Sequence, residues 1–349
     1  MYKRQTDKSL KDIKKNKVTY TKSDYDNVPS LIKALYDGEV DAVVLNEAYR
    51  SNVCDIEEYA NFNNETKVIH KTVYYTKENS SPLAVSDITS KPFNVLISGS
   101  DTRGGFDENG RSDVIMIATV NPKTHTILLT SVPRDFYVTT ACDAGDGCMQ
   151  GALDKITHTG IHGTNTTKRT VEQLLGIEIN YTFKVGFDTV TELVDVLGGV
   201  DVYVEPGYAT TTSEFSVHEG VNHLNAQQAL AFARERYSYT EGDRQRTKNQ
   251  QQVLMGIVKE ATKPSVITNY AAIMDTMANT FSTTMSNEEI TDLIKYQLNN
   301  NPSWKMEQYM VDGTGDTLMC AELGDAASVM VPDPVSYTHL RAHETKANL

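Results

Sequence analysis

The sequence predicts an α/β protein: a mixed central sheet with helices on both faces, in α-β-α layers, plus a small, incomplete α/β accessory domain at the N-terminus. Three observations predict it. Apolar, β-branched runs at residues 93–97, 114–120 and 126–132 follow one another with only turn residues between them. Strands joined without intervening helices point to a mixed sheet rather than a purely parallel one. From residue 166 to residue 311 helical and strand patterns then alternate, which supplies helices to cover such a sheet. Finally, 349 residues with 39% hydrophobic and 23% charged content describe an ordinary globular chain, long enough for two domains.

The elements follow in order. Residues 17–20 read as a short strand. Residues 28–35 read as a helix, with Pro29 near its start, apolar residues at helical spacing and Gly38 closing it. Residues 40–45 form an apolar, buried-strand pattern, 56–62 a second helix and 66–75 a further strand. Together residues 1–77 make the partial accessory unit, and the polar, turn-rich stretch opening residues 78–90 marks a linker. The main domain runs over 91–316 and a C-terminal extension over 317–334. Within the main domain, strands are expected near Phe93, Val114, Ile127 and Thr182 and at 200–204 and 304–311. Helices are expected at 166–175, near Thr189, at Ala226, and at 247–261, 266–277 and 287–297. Residues 335–349 read as a non-native or disordered tail.

The charge pattern points to a site. The formal net charge is -13, yet Arg234, Arg236, Arg244 and Arg246 fall within thirteen positions. Guanidinium forks match phosphate oxygens with paired hydrogen bonds and stay charged at ordinary pH. The plain alternative is a solvated helix face laced with ion pairs. A second group shifts the balance: Asp101, Asp113 and Asp135 all stand at strand edges, each beside an arginine, namely Arg103, Arg111 and Arg134. Carboxylates can hold Mg2+ by oxygen while arginines take the phosphate oxygens of a substrate. The acidic balance argues against nucleic-acid binding, which needs a broad basic surface.

The segments GSDTRGGFDENGRSDVIMIATVNPKT, TSVPRDFYV, DKITHTGIHG, FKVGFDTVTELVDVLGGVDVYV and LNAQQALAFARERYSYTEGDRQRTKNQQQVL resemble, in that order, the LytR-CpsA-Psr family of cell-envelope phosphotransferases. The resemblance implies that Asp101 and Asp113 bind Mg2+. It implies that Arg111, Arg134, Arg234, Arg236 and Arg246 surround the pyrophosphate of a polyprenyl-pyrophosphate-linked glycan, with Asp113 among the catalytic residues. It places Gln250 and Lys155 in the same site, and Arg103 and Asp243 in matching blocks on the substrate side. The implied activity is transfer of a glycan phosphate from an undecaprenyl carrier to a peptidoglycan hydroxyl. Asp113 and Asp135 are both candidates to take the hydroxyl proton. A lipid pyrophosphate hydrolase and a non-catalytic polyprenyl-phosphate-binding regulator are the competing readings. Family members sit on the outer face of the membrane, held by an N-terminal helix. No run of about twenty apolar residues occurs here, so the chain reads as truncated at its start, its membrane anchor missing. The segment DGEVDAVVLNEAYR resembles the accessory domain of some Firmicutes members.

Segments 181–187, 189–197 and 253–258 are candidates to line an apolar cavity for the carrier lipid, although helical aliphatic spacing is more often plain core. His158 reads as a structural hydrogen-bonder. Cys142 and Cys148 bracket a flexible loop suited to closure outside the cytoplasm, the alternative being unlinked thiols. Cys54 and Cys320 carry no signal of pairing.

Overall fold

The computed structural model describes residues 10, 13–15, 18–25, 28–45, 53, 57–70, 83–100, 110–142, 148–267, 273 and 281–336. The chain divides into two units, Met1–Lys77 with Thr268–Ala278, and Glu78–Ile267 with Asn279–Leu349.

The first unit is built around helix α1 (Val28–Tyr36). Ile32 buries its side chain with Val53, Tyr59 and Phe62, and the rings of Tyr36 and Tyr59 pack at 4.9 Å. The helix expected over 56–62 is a 3-10 turn, Glu57–Tyr59, followed by a four-residue helix, Phe62–Glu65. The described residues of the strands expected at 17–20, 40–45 and 66–75 are not strand. A β pattern becomes a strand only when a neighbour takes its backbone N–H and C=O groups, and these segments have no ladder partner among the described residues.

The second unit opens with β1 (Phe93–Ser100), β2 (Ser112–Asn121) and β3 (Thr126–Ser131). A short hairpin follows, β4 (Tyr137–Thr139) and β5 (Leu153–Lys155). A 3-10 helix (Ile156–His162), α2 (Thr164–Leu175) and β6 (Tyr181–Val185) come next. Then come α3 (Phe187–Val196), β7 (Val200–Val204), β8 (Thr210–Thr211), β9 (Ser216–Val217) and β10 (Gly220–Leu224). Helices α4 (Ala226–Arg234) and α5 (Asp243–Ala261) precede a four-residue helix, Pro264–Ile267. Strand β11 (Phe281–Thr283), α6 (Asn287–Asn300), β12 (Lys305–Met310) and the hairpin β13 (Gly313–Cys320) with β14 (Asp325–Pro332) follow.

The central sheet has six strands in the order β11-β6-β1-β2-β3-β12. Pairing is antiparallel for β1 with β2, β2 with β3 and β11 with β6, and parallel for β1 with β6 and β3 with β12. The sheet is therefore mixed, as the uninterrupted run of three strands predicts. Alternation along the strands sends successive side chains to opposite faces. Leu96, Ile115, Ile117 and Leu128 meet Val171 and Leu175 of α2 on one face. Val95, Ile97, Ala118, Ile127 and Leu129 meet Leu254, Met255 and Val258 of α5 on the other. Each fully buried aliphatic side chain contributes about 1.5–3 kcal/mol.

Helix α5 serves two cores. Its Val253 and Ile257 pack away from the sheet, into a cluster with Val194, Val200, Val202, Leu224 and Phe232. A helix apolar on two sides must be covered on both. Gln251, 2% exposed, donates from Nε2 to the carbonyls of Leu129 (3.2 Å) and Tyr309 (2.8 Å), tying α5 to the parallel β3–β12 pair.

Three boundaries differ from the sequence-based expectation. Residues 83–90, read as linker, dock on the sheet domain: Ile88 is buried with Phe93 and Tyr181, and the Val85 N–H donates to Tyr181 Oη. The β13–β14 hairpin runs across the 316/317 division, because its eight register pairs bind the two sides together. Ser336, assigned to the tail, is buried; its carbonyl accepts from Tyr309 Oη and its Oγ accepts from the Asp312 N–H. The rest of the segment expected as a helix at 266–277 lies outside the described residues, apart from the short helix ending at Ile267 and residue 273.

Gly256 is where α5 touches β7. A Cβ there would stand 2.7 Å from the Asp201 carbonyl oxygen and 3.1 Å from Val200 Cβ. Because the obstacle is backbone, Gly256→Ala is expected to lower stability by about 1–3 kcal/mol. A urea unfolding midpoint equal to that of the parent chain would refute the close approach.

Candidate active site

The site begins with an irregularity in the sheet. Gly99 pairs with Val114, but Ser100 pairs with Ser112. Asp113 is thus the extra residue of a β-bulge, a device that bends a strand and re-aims a side chain. Its carboxylate Oδ1 accepts from Arg134 at 2.8 Å and from Thr157 Oγ1 at 3.4 Å. Arg134 follows β3 in a tight turn, with the Phe136 N–H donating to the Pro133 carbonyl. The Arg134 carbonyl accepts from the Thr157 N–H at 3.0 Å, so the 3-10 helix locks that turn. Lys155, at the end of β5, donates to Asp135 Oδ1 at 2.9 Å, and Asp135 Oδ2 lies 3.8 Å from Arg134 Nε.

The second half of the site comes from the α4–α5 connection. Asn225 and Gln228 form a reciprocal capping box that starts α4. The chain leaves the helix at Glu235 with extended backbone. Gly242 has φ 51, a conformation open to glycine and rarely to other residues. That turn aims the first turn of α5, with Asp243 and Arg246, at the bulge. Arg246 and Asp243 are ion-paired.

Electrostatics show that the two halves meet. Burial works against the charge on Arg134, but the hydrogen bond and charge of Asp113, then Asp243 and Asp135, outweigh it and raise its affinity for the proton. Arg246 goes the other way: burial, together with the charges of Arg134 and Arg236, lowers it despite Asp243 and Asp113. Asp113, Arg134, Asp135, Lys155, Arg236, Asp243 and Arg246 therefore share one locality. Three guanidinium groups close enough to depress one of their number form a field that a multivalent anion relieves. Among the described residues the buried Nε atoms of Arg134 and Arg246 have no hydrogen-bond partner, although Arg134 Nε lies within ion-pair distance of Asp135.

The other expected site residues are placed less centrally. Arg111 is exposed, one residue before β2. Gln250 is half-buried on α5, one turn beyond Arg246 and so on the same side of the helix. Arg234 ends α4 with its guanidinium 4.7 Å above the Phe187 ring. Asp101 and Arg103 lie outside the described residues. Sequence reasoning missed Thr157, although it sits two positions after Lys155 in a quoted block. It also missed Glu235, whose Oε1 accepts from the N–H groups of Tyr237 (2.6 Å) and Ser238 (2.9 Å). Of the residues expected to line a lipid cavity, Tyr181, Val194, Val253 and Ile257 are core instead.

Magnesium is tested by the donors present. No group of three or more His, Cys, Asp or Glu suited to a metal is found among the described residues. Asp113 is a half-buried hard oxygen donor beside the arginines, and magnesium commonly needs only one or two carboxylates plus substrate phosphates. The residues fit the ion on those terms.

The hairpin beneath the site is braced from behind. Asp154, 3% exposed, bonds His158 Nδ1 at 2.7 Å and accepts from the backbone N–H groups of Lys155 and Glu322. Cys142 and Cys148 are disulfide-bonded, closing the far end of the β4–β5 hairpin. Cys320 is a buried free thiol, raised by burial and then by the Asp154 charge, which keeps it unreactive. Cys54 lies outside the described residues.

Comparison with known proteins adds to this geometry. A model of the LytR_cpsA_psr family matches residues 57–338. The chain is 31% identical, over 238 residues, to the polyisoprenyl-teichoic acid–peptidoglycan teichoic acid transferase TagU of Bacillus cereus (strain AH820), covering 68% of this chain and 75% of the relative. The crystal structure of TagU from B. subtilis superposes with a TM-score of 0.56 at 27% identity, over 74% of this chain and 98% of that one. Protein gbs0355 from Streptococcus agalactiae superposes with a TM-score of 0.62 at 25% identity, over 74% and 88% of the respective chains. Among the described residues no helix is long and apolar enough to cross a membrane.

One pH dependence follows from the brace. Burial raises Asp154, but hydrogen bonds from His158, Glu322 and Lys155 outweigh it and hold the carboxyl below its ordinary range. A depressed carboxylate contributes stability that is fully present above its unfolded value, near about 3.9, and is lost as pH falls through the folded value. Asp154→Asn is expected to be less stable at pH 7 and to lose less between about pH 5 and pH 2. Parallel urea-midpoint profiles for the two proteins over that range would disprove this.

Proposed function

The chain belongs to the LytR-CpsA-Psr family, and from that premise we propose that it is a cell-envelope phosphotransferase acting on the outer face of the membrane. It moves a glycopolymer phosphate from a polyprenyl (undecaprenyl) pyrophosphate carrier to a hydroxyl of peptidoglycan. The observation that carries the reading is the Asp113–Arg134 ion pair gathered with Arg246, which burial and the charges of Arg134 and Arg236 depress. A diphosphate brings the negative charge this arrangement lacks.

The residues then divide the work. Arg134, Arg236 and Arg246 grip the oxygens of the diphosphate and stabilise the charge that spreads over them as the transferred phosphorus changes partners. The acceptor hydroxyl oxygen forms a bond to the phosphorus that carries the glycan. The bond from that phosphorus to the bridging oxygen breaks, and polyprenyl phosphate leaves with the electron pair. The hydroxyl proton passes to a carboxylate of the site. Asp135 is the more accessible candidate, with its side chain 37% exposed against 15% for Asp113. Lys155 and Arg134 position it. Asp113, with Asp101, would hold Mg2+, which when bound supplies further positive charge to the diphosphate oxygens.

Incubation of the purified chain with a polyprenyl-pyrophosphate-linked glycan and peptidoglycan oligomers is expected to yield glycan attached to peptidoglycan. Release of free phosphate without attachment would replace transfer by hydrolysis. Arg236→Ala is expected to slow transfer by about 100- to 1000-fold while the fold is retained; near-parent turnover by that variant would defeat the assignment. Chelation by EDTA should abolish transfer, and added Mg2+ should restore it.

A further inference from the structure

Beside the arginine cluster stands a ring the proposed reaction does not use. Tyr237 is 85% exposed, the most exposed large apolar side chain among the described residues. A single exposed aromatic residue needs no explanation by itself. This one differs because it is held. The Arg236 guanidinium lies 4.7 Å from its ring centroid and donates to its hydroxyl at 2.6 Å. The Glu235 carboxylate fixes the backbone below it by accepting from the N–H groups of both Tyr237 and Ser238. An aromatic side chain projecting into water normally samples several rotamers. Here two charged residues hold it in place, and one of them belongs to the anion cradle.

We propose that Tyr237 is a stacking platform for a pyranose ring of the glycan, and so a specificity-determining residue of the site. This rests on the phosphotransferase reading. A glycosyl phosphate puts its sugar one bond from the phosphate oxygen. A ring braced against a phosphate-gripping arginine is therefore where that sugar arrives. The apolar face of a pyranose stacks on one face of an aromatic ring while its hydroxyls stay in water. A lone ring so open to solvent cannot enclose a polyprenyl chain, which gains affinity by burying area on all sides. The pyranose belongs to the carrier-linked donor or to the peptidoglycan acceptor, and the test separates the two.

Binding of farnesyl pyrophosphate is compared with binding of the same lipid carrying an N-acetylhexosamine on its terminal phosphate. Kinetics with peptidoglycan oligomers form the second arm. For a donor sugar, Tyr237→Ala weakens the sugar-bearing lipid by about three- to tenfold and leaves farnesyl pyrophosphate within about twofold. For an acceptor sugar, the same variant raises the KM for peptidoglycan oligomers by that factor while both lipids bind as before. Tyr237→Phe and Tyr237→Trp retain the preference, because the ring matters rather than the hydroxyl. Equal weakening of both lipids overturns the proposal and leaves Tyr237 as a brace for Arg236. So does a Tyr237→Phe defect as large as that of Tyr237→Ala, or no change in either arm. Failure of the parent chain to bind either lipid removes the phosphotransferase reading itself, an outcome distinct from loss of the platform alone.

Discussion

Like charges gathered in one place must be compensated or they drive the chain apart, and this constraint organises the second unit. Arg134 and Arg236 lie close enough to Arg246 to work, together with burial, against its charge. Asp113, Asp135 and Asp243 answer them, each from a different segment. Each compensating carboxylate needs its own support: a bulge for Asp113, a lysine for Asp135, a helix first turn for Asp243. The architecture places these supports at one end of three adjacent strands. Among the described residues the Nε groups of Arg134 and Arg246 still lack a hydrogen-bond acceptor.

Much of the fold was legible because it rests on local pattern. The runs at β1, β2 and β3 are apolar and long enough to declare themselves, and α2, α4 and α5 carry clear periodicity or capping residues. The hairpins β4–β5 and β13–β14 were not legible. The first has three-residue strands separated by a disulfide loop, too short for periodicity to register. The second alternates glycine, threonine and acidic residues on a largely exposed surface, and its assignment depends on contacts with Asp135 and Phe136 about two hundred positions away. The opposite error occurred in the first unit. Residues 40–45 look like a buried strand, yet pattern cannot reveal whether a ladder partner exists.

The candidate site divides in the same way. Spacing alone brought Arg134, Arg236, Arg246 and Asp113 to notice, since clustered arginines in an acidic chain and aspartates at strand ends are visible in the letters. Spacing did not reveal that Asp113 is the inserted residue of a bulge, because register belongs to two strands at once. Nor did it reveal that Arg234 rests on Phe187 while Arg236, two residues on, joins the cluster. The helix ends between them, and two residues of extended chain turn a side chain differently from two residues of helix.

Helix α5 spans 19 residues, which at about 1.5 Å per residue makes a rod of roughly 28 Å. Its first turn belongs to the charged cluster, while its later turns are wedged between the sheet and the β7–β10 cluster. Whatever settles at the start of that rod also restrains both masses it separates, since any ligand preferring the folded form shifts the whole folding equilibrium. Occupancy at one end should thus be readable at the other, as slower amide exchange in residues that never approach the ligand.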